Sequence, residues 1–143
     1  MARRFKETSP WIAPLLAELL VEHLENEEFS AVEAVPMWPE RRRERGYNPP
    51  ALLAKEISRL KGWPFRGRLL RARPTPPQRG LSREERRANL KGAFVCAEGP
   101  ELFGARILLL DDVMTTGSTL RASSNALLSK GVSSVVAGVV SRD

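Results

Sequence analysis

Two hydrophobic rhythms run along this chain. Ile107 to Leu110 are four large apolar residues in a row, the pattern of a strand buried on both faces in a parallel sheet. Val132 to Ser141 is mostly apolar and predicts a last strand, Ala31 to Pro36 predicts a first one, and Arg68 to Arg71 a short one. Between these, Leu15, Leu16, Leu19, Leu20 and Leu24 recur at helical spacing behind Ser9 as N-cap and Pro10 at the first helical position, so residues 1–28 read as an N-terminal amphipathic helix. Pro50 to Lys61, closed by Gly62, predicts a second helix, and Ser118 to Lys130, closed by Gly131, another. Ser82-Arg83-Glu84-Glu85 is a capping box that starts a short helix to about Leu90. Strands alternating with helices give an α/β fold, a mostly parallel sheet flanked by helices, with ligands expected at the carboxyl ends of the strands.

The chemistry concentrates where the Ile107 to Leu110 strand hands over to the Ser118 helix. Asp111 and Asp112 are acceptor-only when ionised and suit vicinal hydroxyls, or waters on a divalent cation. Thr115, Thr116, Ser118 and Thr119 offer hydroxyls, and Gly117 lets the backbone turn tightly beside a ligand. The helix start presents unpaired N–H groups at the positive end of a dipole, a place that collects phosphate. No lysine stands in this loop and no Gly-x-x-x-x-Gly-Lys-Ser/Thr or Gly-x-Gly-x-x-Gly occurs in the chain, which removes the P-loop and dinucleotide-binding readings.

Leu108-Leu109-Leu110-Asp111-Asp112-Val113-Met114-Thr115-Thr116-Gly117-Ser118-Thr119 resembles the phosphoribosyl pyrophosphate (PRPP) signature of type I phosphoribosyltransferases at every diagnostic position. Two further stretches resemble the ComF family: Ala34-Val35-Pro36-Met37-Trp38-Pro39 with its arginines and Arg45-Gly46-Tyr47-Asn48, and Gln78-Arg79-Gly80-Leu81 followed by Arg86-Arg87-Ala88-Asn89 and Ala93-Phe94. The resemblance implies that Asp111 and Asp112 hold the ribose hydroxyls and that 113–119 (Val113, Met114, Thr115, Thr116, Gly117, Ser118, Thr119) hold the ribose and 5′-phosphate. It assigns the pyrophosphate to Pro36, Met37, Trp38 and Arg45. A lid over 73–92 would carry Gln78, Arg86 and Asn89 over the reacting centre, although Pro74, Pro76 and Pro77 would stiffen it.

The implied reaction releases pyrophosphate with Mg²⁺ held by PRPP itself, Asp111 and Asp112 lying nearby and no residue binding the metal directly. The family's association with competence implies DNA uptake as the setting, with single-stranded DNA or a competence helicase as partner, and a homodimer is also compatible with it. Many ComF-type proteins carry a four-cysteine zinc finger first, whereas Cys96 and His23 are the only cysteine and histidine here, so the chain reads as a short member without it or as one whose start has been lost. The acceptor-reading hood is expected to be reduced or absent, and the acceptor is left open, as is the alternative of a PRPP-binding sensor that transfers nothing.

Composition changes this picture in one respect. The 143 residues and 42% apolar content suit one domain. No run approaches the roughly eighteen apolar residues of a membrane span, and with one free cysteine the chain reads as cytoplasmic. Cys96 reads as a small buried apolar residue and His23 as a surface one. Charge, however, is uneven: residues 41–91 hold 16 Lys and Arg against 4 Asp and Glu, while the remainder holds 7 against 13. Those arginines surround a pyrophosphate, line a groove for a nucleic-acid backbone, or form a solvated basic face.

Overall fold

The computed structural model describes residues 12–37, 43, 46–73, 80–114 and 117–142, those at 112–114 and 141–142 by backbone alone. In chain order the elements are α1 (Ala13–His23), β1 (Ala31–Ala34), α2 (Pro49–Lys61), β2 (Leu69–Arg71), α3 (Arg83–Leu90), β3 (Phe94–Cys96), a 3₁₀ turn (Pro100–Leu102), β4 (Arg106–Met114), α4 (Ser118–Leu128) and β5 (Ser134–Arg142). β1, β4 and β5 form a parallel sheet in that spatial order, with Ala31 opposite Ile107 and Leu110 opposite Gly138. Phe65 adds a parallel bridge to Val32 on the far side of β1, where Val32 N–H donates to the Pro64 carbonyl at 2.9 Å.

Two apolar layers cover the sheet. On one face Val32, Ala34, Leu108 and Leu110 pack with Ala17 of α1 and Leu53, Ala54 and Ile57 of α2. On the other, Ala31, Ile107 and Leu109 pack with Leu120 and Leu127 of α4, with Leu69, Phe94 and Cys96, and with Leu90 of α3. Successive residues of β4 thus find an apolar layer on alternate sides: Ile107, Leu108, Leu109 and Leu110 are each fully buried, as the unbroken apolar run predicts. From β1 the chain passes through α2 to Phe65 on one side; from β4 it passes through α4, on the opposite face, to β5 on the other. The strand order therefore reverses between β1 and β4, and in sheets of this kind ligands bind in the crevice outside the carboxyl ends of the strands at such a point.

The structure revises several boundaries. β4 runs on through both aspartates to Met114, because β5 continues alongside it and pairs Asp111 with Val139 and Met114 with Arg142. β1 stops at Ala34, before Pro36, which has no N–H to give a ladder. β2 does not join the parallel sheet; it pairs antiparallel with β3, a strand too short at three residues to show a sequence period. The predicted leucine face of α1 is narrower than its five leucines suggest. Leu16, Leu20 and Leu24 pack against the core beside the buried Ala13 and Ala17, whose small side chains let the helix lie close, while Leu15 and Leu19 are 56% and 47% exposed. That helix starts at Ala13 with Pro14 in its first turn; Ser9 and Pro10 lie outside the described residues. α2 ends on Gly62 in the left-handed region (φ 77°), and α3 has both halves of its capping box. Among the described residues no helix is long and apolar enough to cross a membrane.

Candidate functional site

The carboxyl ends of β1 and β4 are bound to each other. Val35 N–H donates to the Leu110 carbonyl at 2.9 Å, so the segment leaving β1, Pro36 and Met37, begins beside the residue that follows Leu110. Asp111 is that residue, an acid only 8% exposed. Pro36 and Met37 are half-buried. Asp112, Val113 and Met114 occupy the last positions of β4, described by backbone only, and Thr115 and Thr116 lie outside the described residues. Gly117 follows, with a φ of 80° and ψ of 4° that make it a left-handed N-cap for α4. Ser118 is buried at the first position of that helix and Thr119 is half-buried.

The carboxyl ends of β1 and β4 thus carry Pro36, Met37 and Asp111, and Gly117, Ser118 and Thr119 open the helix that follows β4. A carboxylate there can accept from hydroxyls, and the first turn of α4 offers donors and a positive dipole end to an anion. Trp38, Arg45 and Gln78 lie outside the described residues. Arg86 and Asn89 are on α3, three residues apart on one half-buried face. α3 packs beside α4, and a groove of about 930 Å³ between them is lined by Arg87, Lys91, Phe94, Ser118 and Arg121 among others.

The described part of the anticipated lid is well held. Arg73 Nη2 donates to the carbonyls of Asn89 (2.8 Å) and Lys91 (2.7 Å), joining its two ends, and Leu90 and Ala93 are buried. Several cations of the basic middle stretch are likewise used internally. Arg59 pairs with Glu56, Arg66 and Arg68 pair with Glu101, and Arg71 lies over the Phe94 ring at 4.6 Å. These leave less charge for a ligand than the bare count suggests.

One polar residue escapes a reading of the sequence by period. Glu33, in the middle of β1, is 1% exposed and faces the hairpin, where its Oε1 accepts from Leu69 N–H at 3.2 Å. Burial pushes its carboxyl above the ordinary value, against the pull of backbone donors at Arg68, Leu69 and Arg66 and of the Arg68 charge. The signal was there: an acid inside a strand expected to be covered on both faces requires a partner. Cys96, opposite Leu69 in the hairpin, is buried as expected, and burial together with the nearby Glu33 pushes its thiol up. His23 is exposed on α1 and bonds back to the Leu19 carbonyl.

Comparison with known proteins gives the same outline. The chain is 37% identical over 145 residues to Competence protein F of Haemophilus influenzae, covering 94% of this chain and 63% of that protein. It is 38% identical over 103 residues to the DNA utilization protein YhgH of Escherichia coli O157:H7, covering 71% of this chain and 44% of that one. The chain therefore spans less than two thirds of the length of these curated relatives. No protein-family model matches it. Among solved structures, the allosteric regulatory enzyme of purine biosynthesis superposes with a TM-score of 0.62 at 19% identity, over 90% of this chain and 25% of the other. A phosphoribosyltransferase from Corynebacterium diphtheriae gives 0.57 at 19% identity, over 96% and 65%. Sequence kinship and architecture agree, and the chain belongs to the ComF family, as a domain with the type I phosphoribosyltransferase fold.

Proposed function

We propose that this domain binds PRPP in the crevice between β1 and β4 and transfers its phosphoribosyl group to an acceptor, releasing pyrophosphate. The observation that carries this reading is a buried acid, Asp111, near the carboxyl end of β4 at a topological switch point, followed within a few residues by the left-handed Gly117 and the start of α4. Asp111 and Asp112 accept from the ribose hydroxyls and the loop to Thr119 holds the 5′-phosphate. Pro36, Met37, Trp38 and Arg45 face the pyrophosphate, and Gln78, Arg86 and Asn89 keep water from the reacting carbon. The bond from the anomeric carbon to pyrophosphate breaks with its electron pair going to the leaving group, and the acceptor's lone pair forms the new bond and loses its proton. Positioning and charge neutralisation supply the rate.

On this reading Mg²⁺ takes most of its ligands from PRPP oxygens, with Asp111 and Asp112 nearby. When bound, Mg²⁺ would neutralise charge on the departing pyrophosphate. The names of the relatives, a competence protein and a DNA utilization protein, support a place in DNA uptake. The excess of cations in 41–91 favours a second reading, an accessory protein for single-stranded DNA that uses PRPP or a nucleotide as a signal without transfer.

A thermal-shift titration with PRPP and Mg²⁺ tests the site. Ligand at a hundred times its dissociation constant should stabilise the native chain by about 2.7 kcal/mol. Asp111→Asn/Asp112→Asn should abolish the shift. A folded native chain that does not respond would exclude PRPP binding, and binding without pyrophosphate release across an acceptor screen would favour the accessory reading.

A further inference from the structure

We infer that β5 pairs with β5 of a second copy of this chain, in antiparallel register about Gly138, to make one continuous sheet. β5 has β4 on one side and, among the described residues, no strand on the other. It is nine residues long, and from Ser134 to Ser141 it contains neither a charge nor a proline. Open edges are normally kept short or guarded by lysine, proline or a bulge, because unpaired N–H and C=O groups template another strand. This edge has none of those guards over its first eight residues. It is apolar on both faces as well. Val135 and Val139 pack on the α4 side of the core, Val136 and Val140 on the α1 and α2 side, and all four remain only partly covered.

The ladder specifies which groups face outward. Arg106 and Leu110 carbonyls accept from Ser30 and Val35, so the even positions of β4 bond toward β1 and the odd ones toward β5. β4 pairs Ile107 with Val135 and Leu109 with Ala137, and in a parallel ladder a residue that bonds across does so to the neighbours of its partner, which puts the even residues of β5 inward; at the start of the strand the Ala105 carbonyl accepts from both Ser133 (2.8 Å) and Ser134 (3.4 Å). The N–H and C=O groups of Val135, Ala137, Val139 and Ser141 are then directed away from the sheet. These positions complement themselves. A two-fold axis through Gly138 sets Ala137 opposite Val139 of the second copy and Val135 opposite its Ser141, and every such pair joins two outward-facing residues.

Gly138 suits the axis. The Leu110 side chain fills its place, since a Cβ there would lie 2.9 Å from Leu110 Cδ2, and the close, non-hydrogen-bonded pair at the axis needs no side chain on the outer flank. A foreign strand would satisfy the backbone groups but leave the four valines half-covered. A second copy extends both helical layers, because α1 and α4 lie on the two faces that β5 shares.

The test is sedimentation of the native chain across a concentration series, with Ala137→Pro alongside. Proline at 137 removes one outward N–H and leaves the β4 ladder intact, a position an edge strand tolerates. The native chain should sediment as a dimer, Ala137→Pro as a folded monomer with unchanged far-ultraviolet circular dichroism, and Ala137→Ser as a dimer. A native monomer throughout, a dimer that survives Ala137→Pro, or open-ended assembly would each overturn the proposal. Should Ala137→Pro fail to fold, amide exchange on the native chain decides: the Ala137 and Val139 amides should be protected in proportion to dimer, and rapid exchange at both would sink the pairing.

Discussion

Glu33 Oε1 accepts a hydrogen bond from the Leu69 backbone N–H at 3.2 Å, in a residue that is 1% exposed. This contact ties the antiparallel hairpin to the parallel sheet two residues before Val35, whose N–H joins the ends of β1 and β4. A buried acid therefore holds the hairpin against the strand that leads into the crevice.

Its burial has a pH signature. The folded carboxyl holds its proton above the ordinary glutamate value near 4.5, chiefly because burial disfavours the charge, so folding takes up a proton in the interval between the unfolded and the raised folded value. Stability of the native chain should fall as pH rises through that interval and be level above it. Glu33→Gln keeps an acceptor for Leu69 N–H and lacks the titration. Urea midpoints at a series of pH values should show the variant gaining on the native chain as pH rises, and parallel curves would contradict the assignment.

Cys96 provides a check on the same neighbourhood. Its thiol is buried, and burial followed by the negative Glu33 shifts it up, so little thiolate is present at neutral pH. A thiol reagent at pH 8 should leave the native chain nearly unlabelled and react with one equivalent in guanidinium. Labelling of the native chain at the rate of a free thiol would place Cys96 on the surface.

Gly117 sits at φ 80°, where an L side chain meets its own carbonyl. Gly117→Ala should cost about 1–2 kcal/mol of stability in urea unfolding. Under the proposed function it should also weaken the PRPP shift. Retention of full stability would mean that the turn relaxes without cost.

The two faces of α1 should respond in opposite ways. Leu15→Lys and Leu19→Glu alter exposed positions and should change stability by no more than about 0.5 kcal/mol. Ala17→Leu inserts bulk at a fully buried contact and should cost about 1–3 kcal/mol. A large loss from these two changes would place Leu15 and Leu19 in the core.

Much of this molecule is local, and local features are legible in sequence. The four-residue apolar run at Ile107 to Leu110 predicts a strand covered on both faces, the Ser82 and Glu85 pair predicts the cap of α3, and Gly62 predicts the end of α2, because each depends on groups within a few residues. The Asp111 to Thr119 string likewise predicts the junction between β4 and α4. Tertiary structure decided the rest. The five leucines of α1 share a helical period, and only packing against α2 decides that Leu16, Leu20 and Leu24 turn inward with Ala17 while Leu15 and Leu19 stay exposed. β4 extends to Met114 because β5 runs beside it, and β2 and β3 pair because residues 23 to 27 positions apart meet across the hairpin, a contact no local window contains. The partner of Glu33 lies 36 residues along the chain; its side chain type shows that a partner is required, and the fold supplies which one.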